Sequence, residues 1–81
     1  MRVMSGPQLA VGDVIFLERS IAGLPYPTGY WVLVSATVGS VEIALVSQDG
    51  QGMYAIGNRF QIYPEDLGAF SSTGLTARLT K

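Results

Sequence analysis

Tyr30-Trp31-Val32-Leu33-Val34-Ser35-Ala36-Thr37-Val38, then Gly39-Ser40, then Val41-Glu42-Ile43-Ala44-Leu45-Val46: this stretch decides the fold. Its first part is dense in β-branched and aromatic residues, which suit a pleated, half-buried surface, and predicts a strand. Gly39-Ser40 is the only turn material before the second part, so the two parts read as sequential strands. In the second part Val41, Ile43 and Leu45 share one face, because side chains alternate along a strand. Glu42, Ala44 and Val46 share the other face, which is therefore only partly polar.

Working outward toward the N-terminus, Val11-Gly12-Asp13 is a turn signal ahead of the apolar run Val14-Ile15-Phe16-Leu17. A first strand is expected there, ending near Arg19. Residues 20–29 carry Gly23, Pro25, Pro27 and Gly29 and read as loop. Ile21, Leu24 and Tyr26 suggest that this loop packs onto the body of the protein. Toward the C-terminus, Asp49-Gly50 is the strongest hairpin signal in the chain, with residues 53–56 returning as a strand. Gly57-Asn58 reads as a break. Residues 59–63 form a further short strand, with Phe60 and Ile62 on one face and Gln61 and Tyr63 on the other. Pro64-Glu65-Asp66-Leu67 predicts one helical turn, proline fitting its first position because the missing N–H is not needed there. From Gly68 the composition shifts to Ser, Thr and Gly, with Leu75 and Leu79 as aliphatic anchors. This tail from Gly68 is expected either to add a last strand or to fray.

Short strands, a long loop after the first, a tight hairpin later and a single helical turn near the end give an all-β reading. The expectation is a small SH3-like barrel of about five strands with one short helical turn near residues 64–67, since the chain is too short for a sandwich. Residues 11–81 would form the single domain and residues 1–10 an N-terminal arm.

Composition narrows the function. A chain of 81 residues buries only about 60–70% of the surface its unfolded form exposes, so extra support is expected. Cysteine and histidine are both absent, which removes disulfides and the common zinc ligands together. Apolar residues make up 48% of the chain and charged ones 14%. More apolar surface than one tiny core can hide predicts subunit contacts, hence a homo-oligomer. The five basic residues, Arg2, Arg19, Arg59, Arg78 and Lys81, are outnumbered by six acidic ones and are not clustered. Nucleic acid is therefore not an expected partner, because affinity for it comes mainly from grouped phosphate contacts. No apolar run approaches the roughly 18 residues of a membrane span, and the N-terminus lacks the apolar core of a signal peptide. Neither a membrane nor export is expected, and a cytoplasmic location is the default.

The catalytic inventory is thin. Without His or Cys, triad and thiol mechanisms in their ordinary forms are not available. Glu65-Asp66 reads as a solvated helix start, and Asp13 and Asp49 as turn formers. Gly50-Gln51-Gly52 lacks the lysine and helix of a phosphate loop, and no metal-site spacing occurs, so no catalytic residue and no metal ligand is assigned. Tyr26, Tyr30, Trp31, Tyr54 and Tyr63, with Pro25 and Pro27, offer the rings of a proline-peptide groove. Core packing or subunit contact accounts for most of them.

One segment points elsewhere. Gln61-Ile62-Tyr63-Pro64, followed by a short turn and Leu67, resembles the end of the type II dihydrofolate reductases, the small trimethoprim-insensitive enzymes of plasmids and mobile gene cassettes. Gly12-Asp13 resembles the pair that opens their first strand. The resemblance implies an SH3-like barrel, four of which surround one pore that binds NADPH and dihydrofolate. It implies that Gln61 bonds the ligand rings at the pore centre, that Ile62 offers backbone groups to both ligands, and that Tyr63 lines the pore near the cofactor. Catalysis there would be alignment for hydride transfer, with no general acid from the protein. Where the family carries a lysine for the anionic ends of its ligands this chain has Leu17, followed by Glu18 in place of a second lysine. Arg19 is the nearest substitute. Arg59 stands where the family has serine.

The leading expectation is a non-enzymatic, oligomeric SH3-like barrel that binds a protein or small ligand and has no cofactor. The alternative is a diverged type II reductase using NADPH, with Gln61, Ile62, Tyr63 and Arg19 as ligand-binding residues. A structural subunit of a phage or mobile-element assembly is a third.

Overall fold

A computed structural model describes residues 9–20 and 27–80. Five strands follow in order: β1 (Asp13–Leu17), β2 (Gly29–Thr37), β3 (Ser40–Asp49), β4 (Gly52–Ile62) and β5 (Phe70–Thr76). A 3-10 turn, η1 (Pro64–Ala69), separates β4 from β5. The stretch that opened the sequence reading is the β2–β3 hairpin, paired from Thr37 opposite Ser40 back to Trp31 opposite Leu45. Asp49-Gly50 begins the tight turn into β4, where Gln51 N–H donates to Asp49 Oδ1 at 2.8 Å. The predicted arm lies mostly, and the 20–29 loop largely, outside the described residues.

Alternation along β2 sends its side chains to two faces, and both are buried. Trp31 and Leu33 join Ile15, Leu17, Val41, Ile43 and Ile62 in the main core, which Leu45, Phe60, Leu67 and Phe70 flank. Phe60 meets the Trp31 ring edge-on, with centroids 5.5 Å apart. The Trp31 indole N–H donates to Pro27 O at 3.1 Å, so the largest core side chain keeps its one polar atom satisfied. Val32 and Val34, on the opposite face, pack with Ala44 in a smaller cluster. Ala77 and Leu79, beyond β5, lie against that second cluster, with Val46 and Ala55 beside it.

The four strand ladders are antiparallel and the sheet order is β4-β3-β2-β1-β5. The expected SH3-like barrel is not formed: the sheet is open. Closing a five-stranded sheet requires its two outer strands to share a ladder, and β4 and β5 share none. The segment after β5 meets β4 at one isolated parallel bridge, Tyr54 with Arg78. The functional reading built on a closed barrel falls with it, as does the barrel implied by the reductase resemblance. The helical turn was anticipated and the total of five strands agrees. That total is made up differently, since one strand, β4, was expected as two and the tail strand β5 completes the count. Closure was not anticipated, because it depends on accumulated twist and on which edges meet.

Two irregularities shape the edges. Leu45 pairs with Ile56 but Ala44 pairs with Arg59, so Gly57 and Asn58 bulge from β4. Gly57 has φ 71°, a left-handed conformation that costs glycine nothing. The two strands predicted on either side of Gly57-Asn58 are thus one bent strand. On the other edge, Ile15 pairs with Ser72 but Asp13 with Thr76, so residues 73–75 bulge opposite Val14. Among the described residues, no helix is long and apolar enough to cross a membrane.

Candidate functional site

The four candidate residues of the sequence reading do not gather within one chain. Gln61 is exposed and pairs with Glu42, which in turn pairs with Ser35 near the end of β2. Its side-chain Nε2 donates to Ser40 Oγ at 2.7 Å. Ile62 is 4% exposed and its side chain belongs to the main core. Tyr63 is 68% exposed, and its N–H donates to Asp66 Oδ2 at 3.2 Å, which anchors the start of η1. Arg19 lies at the other end of the sheet, two residues past Leu17, which pairs with Gly29 at the beginning of β2. There it lines a recess of about 380 Å³ together with Glu18, Ser20, Ala69 and Ser71.

The apolar surplus read from composition is visible at the Gln61 end. Val11 and Val38 stand 50% and 99% exposed, and Leu75, next to the Thr76–Asp13 pair, 48% exposed. Tyr30, at the opposite end, is partly covered by the Phe16 ring at 4.9 Å.

The open sheet adds a feature that the residue-by-residue reading missed, its two edges. An edge strand presents unpaired backbone donors and acceptors, and folded proteins blunt it with charge, proline, bulges or cover. The β4 edge is blunted in three ways. The bulge at Gly57-Asn58 bends it, Arg59 charges it, and the segment after β5 covers its first part. In that cover, Arg78 N–H donates to Met53 O at 2.9 Å and Ala55 N–H donates to Arg78 O at 2.8 Å. The Arg78 guanidinium reaches Asp49 Oδ1 at 2.8 Å and Gln51 Oε1 at 3.3 Å, and sits 5.4 Å from the Tyr54 ring centre.

The β5 edge is treated differently. Phe70-Ser71-Ser72-Thr73-Gly74-Leu75-Thr76 contains no charged residue and no proline. Ser71, Ser72, Gly74, Leu75 and Thr76 are exposed, and among the described residues no strand lies beyond β5. Its bulge is repaired internally: Thr73 Oγ1 donates to Val14 O at 2.7 Å and accepts the Leu75 N–H at 3.0 Å. Gly74, at φ 77°, makes that turn possible. The sequence did carry a signal, since no charge occurs anywhere between Asp66 and Arg78.

Chemically, the described surface offers hydroxyls, amides, rings and a strand edge with no further strand beyond it among the described residues. Among the described residues no three acidic side chains come together as a metal site would need. No protein-family model matches the chain, and no curated protein or solved structure matches it either.

Proposed function

We propose that this chain is a protein-interaction domain that works by strand addition: an extended segment of a partner pairs with the edge of β5. Carrying this reading is the uncharged, exposed β5 edge with no strand beyond it among the described residues. Added strands draw affinity from main-chain hydrogen bonds and selectivity from alternate side chains, so no catalytic group is required. The test is to pan a displayed library of random seven-residue peptides and to map the best binders by amide hydrogen exchange. Peptides with alternating apolar and polar residues are expected, and they slow exchange along residues 70–76. Failure to enrich any peptide, or binding that leaves 70–76 unprotected, overturns the reading.

A further inference from the structure

We infer that the segment added to β5 runs parallel to it, is held through Phe70 and Ser72, and presents a side-chain carboxamide to the recess lined by Glu18 and Arg19. This rests on the strand-addition reading and names the orientation and chemistry of its partner.

The direction in which the β5 backbone faces follows from β1. Along a strand, successive residues turn their N–H and C=O to alternate sides. Val14 O accepts the Thr73 hydroxyl at 2.7 Å, so Val14 turns toward β5, Ile15 toward β2 and Phe16 toward β5. Ser71, opposite Phe16, is thereby the residue that bonds back to β1, and its neighbours Phe70 and Ser72 face outward. Phe70 N–H agrees with this direction, since it donates to Leu67 O at the end of η1. Beyond Ser72 the bulge begins, and there Leu75 N–H is held by Thr73 Oγ1. The regular part of the edge thus offers Phe70 O, Ser72 N–H and Ser72 O.

These groups suit one orientation. In a parallel pair, a partner residue opposite Ser71 donates to Phe70 O and accepts from Ser72 N–H. The partner residue two positions further on donates to Ser72 O. An antiparallel partner would exchange both bonds with Phe70, whose N–H is already spent, and would leave its own carbonyl unpaired. A parallel ladder is slightly weaker per residue, but here it pairs every group that faces it.

So short a ladder leaves selectivity to the side chains. The partner side chain beside Ser71 lies on the face that Ser71 presents. Ser71 lines the recess of about 380 Å³ with Glu18, Arg19, Ser20 and Ala69. Glu18 and Arg19 are both exposed, and among the described residues neither forms an ion pair. A carboxamide donates to a carboxylate and accepts from a guanidinium, so it matches both at once. A charged side chain would meet a like charge there, and an aliphatic one would leave both groups unused.

The experiment uses the full chain and a capped peptide, threonine-valine-glutamine-valine-threonine, together with versions carrying glutamate, lysine or leucine in place of the glutamine. Binding is titrated by amide NMR. The glutamine peptide is expected to shift Phe70 and Ser72 and to bind about fivefold more tightly than the others. A double variant, Glu18→Ala with Arg19→Ala, changes exposed positions alone and should bind every version alike. A nitroxide on the N-terminus of the peptide should broaden the signals of Arg19 and Ala69, and one on its C-terminus those of Leu75 and Thr76. The reverse pattern of broadening overturns the inference and leaves strand addition standing. Equal affinity for all versions, with shifts at Phe70 and Ser72, does the same. No shift at those residues with the glutamine peptide overturns the inference too. Peptide panning then decides strand addition by itself: a panned peptide that protects 70–76 keeps that reading, and failure to enrich one removes it.

Discussion

β4 and β5 are both outer strands of the same sheet, yet one is finished and the other is not. β4 has a bulge, an arginine and a covering segment anchored by main-chain bonds to Met53 and Ala55. β5 has a bulge that is mended from within by Thr73 and an outer edge without charge. Since unpaired edges invite association, the contrast teaches that the short C-terminal segment seals β4, while among the described residues no strand covers β5. The same segment also covers the smaller apolar cluster of Val32, Val34 and Ala44, so sealing the edge and closing the second face are one structural act.

The sharpest way to break the contrast is to remove the seal. A chain ending at Thr76 loses Ala77 and Leu79 from the second cluster together with both main-chain bonds to β4. The expected cost is about 2–4 kcal/mol, mostly from re-exposing apolar surface, with a smaller share from the hydrogen bonds. Urea unfolding measures it. The truncated protein should also bind a hydrophobic dye and associate more strongly than the full chain, because β4 has become a second open edge. Loss of less than about 1 kcal/mol, with no new association, would mean that the seal is incidental.

Much of this architecture was legible in the sequence, and the part that was not has a physical cause. β-branched and aromatic density located β2, alternation located the faces of β3, and Asp49-Gly50 located the hairpin, because each is a local effect. Gly57-Asn58 was legible as an irregularity but read as an end, since a bulge and a turn use the same residues. Whether five strands close is a property of edges far apart in the chain, and no local pattern reports it. The candidate site suffered from the same limit. Along β4 Ile62 is buried and Gln61 exposed, as alternation predicts, whereas Tyr63 lies past the end of the strand and Arg19 at the far end of the sheet. The β5 edge was overlooked although its uncharged composition was in plain view, because an uncharged strand is informative only once it is known to be an outer one.

A smaller effect separates the two bulges. Thr73→Val keeps the shape of the side chain but removes the hydroxyl that serves both Val14 O and the Leu75 N–H. Val14 is almost fully buried, so its carbonyl would lose a partner that water cannot easily replace. A loss of about 1–3 kcal/mol is expected, and Thr73→Ser should recover most of it. Amide exchange at Leu75 should rise in the valine variant and stay slow in the serine one. An unchanged stability for Thr73→Val would show that the β5 bulge is held by Gly74 and the neighbouring ladder alone. β4 offers the control: Gly57 and Asn58 have no such hydroxyl at their centre, and their bulge is set by backbone conformation.

The smallest effect belongs to a side chain with several polar partners, Arg78. Arg78 meets Asp49, Gln51, the Gly52 carbonyl and the Tyr54 ring, so it looks like the bolt of the seal. Magnitudes point the other way. Both members of the Arg78–Asp49 pair remain about one-third exposed, at 36% and 32%, so solvent screens the charges, and such pairs contribute little. Arg78 Nε is buried without a hydrogen-bond partner, which offsets part of what the other contacts gain. Arg78→Ala is therefore expected to cost only about 0.5–1 kcal/mol, far less than the truncation. A double-mutant cycle with Asp49→Ala should give a coupling of about 0.2–1 kcal/mol that shrinks as salt is raised. A cost for Arg78→Ala matching that of the truncated chain would reverse the assignment, making the guanidinium, rather than Ala77, Leu79 and the main-chain bonds, what keeps β4 closed.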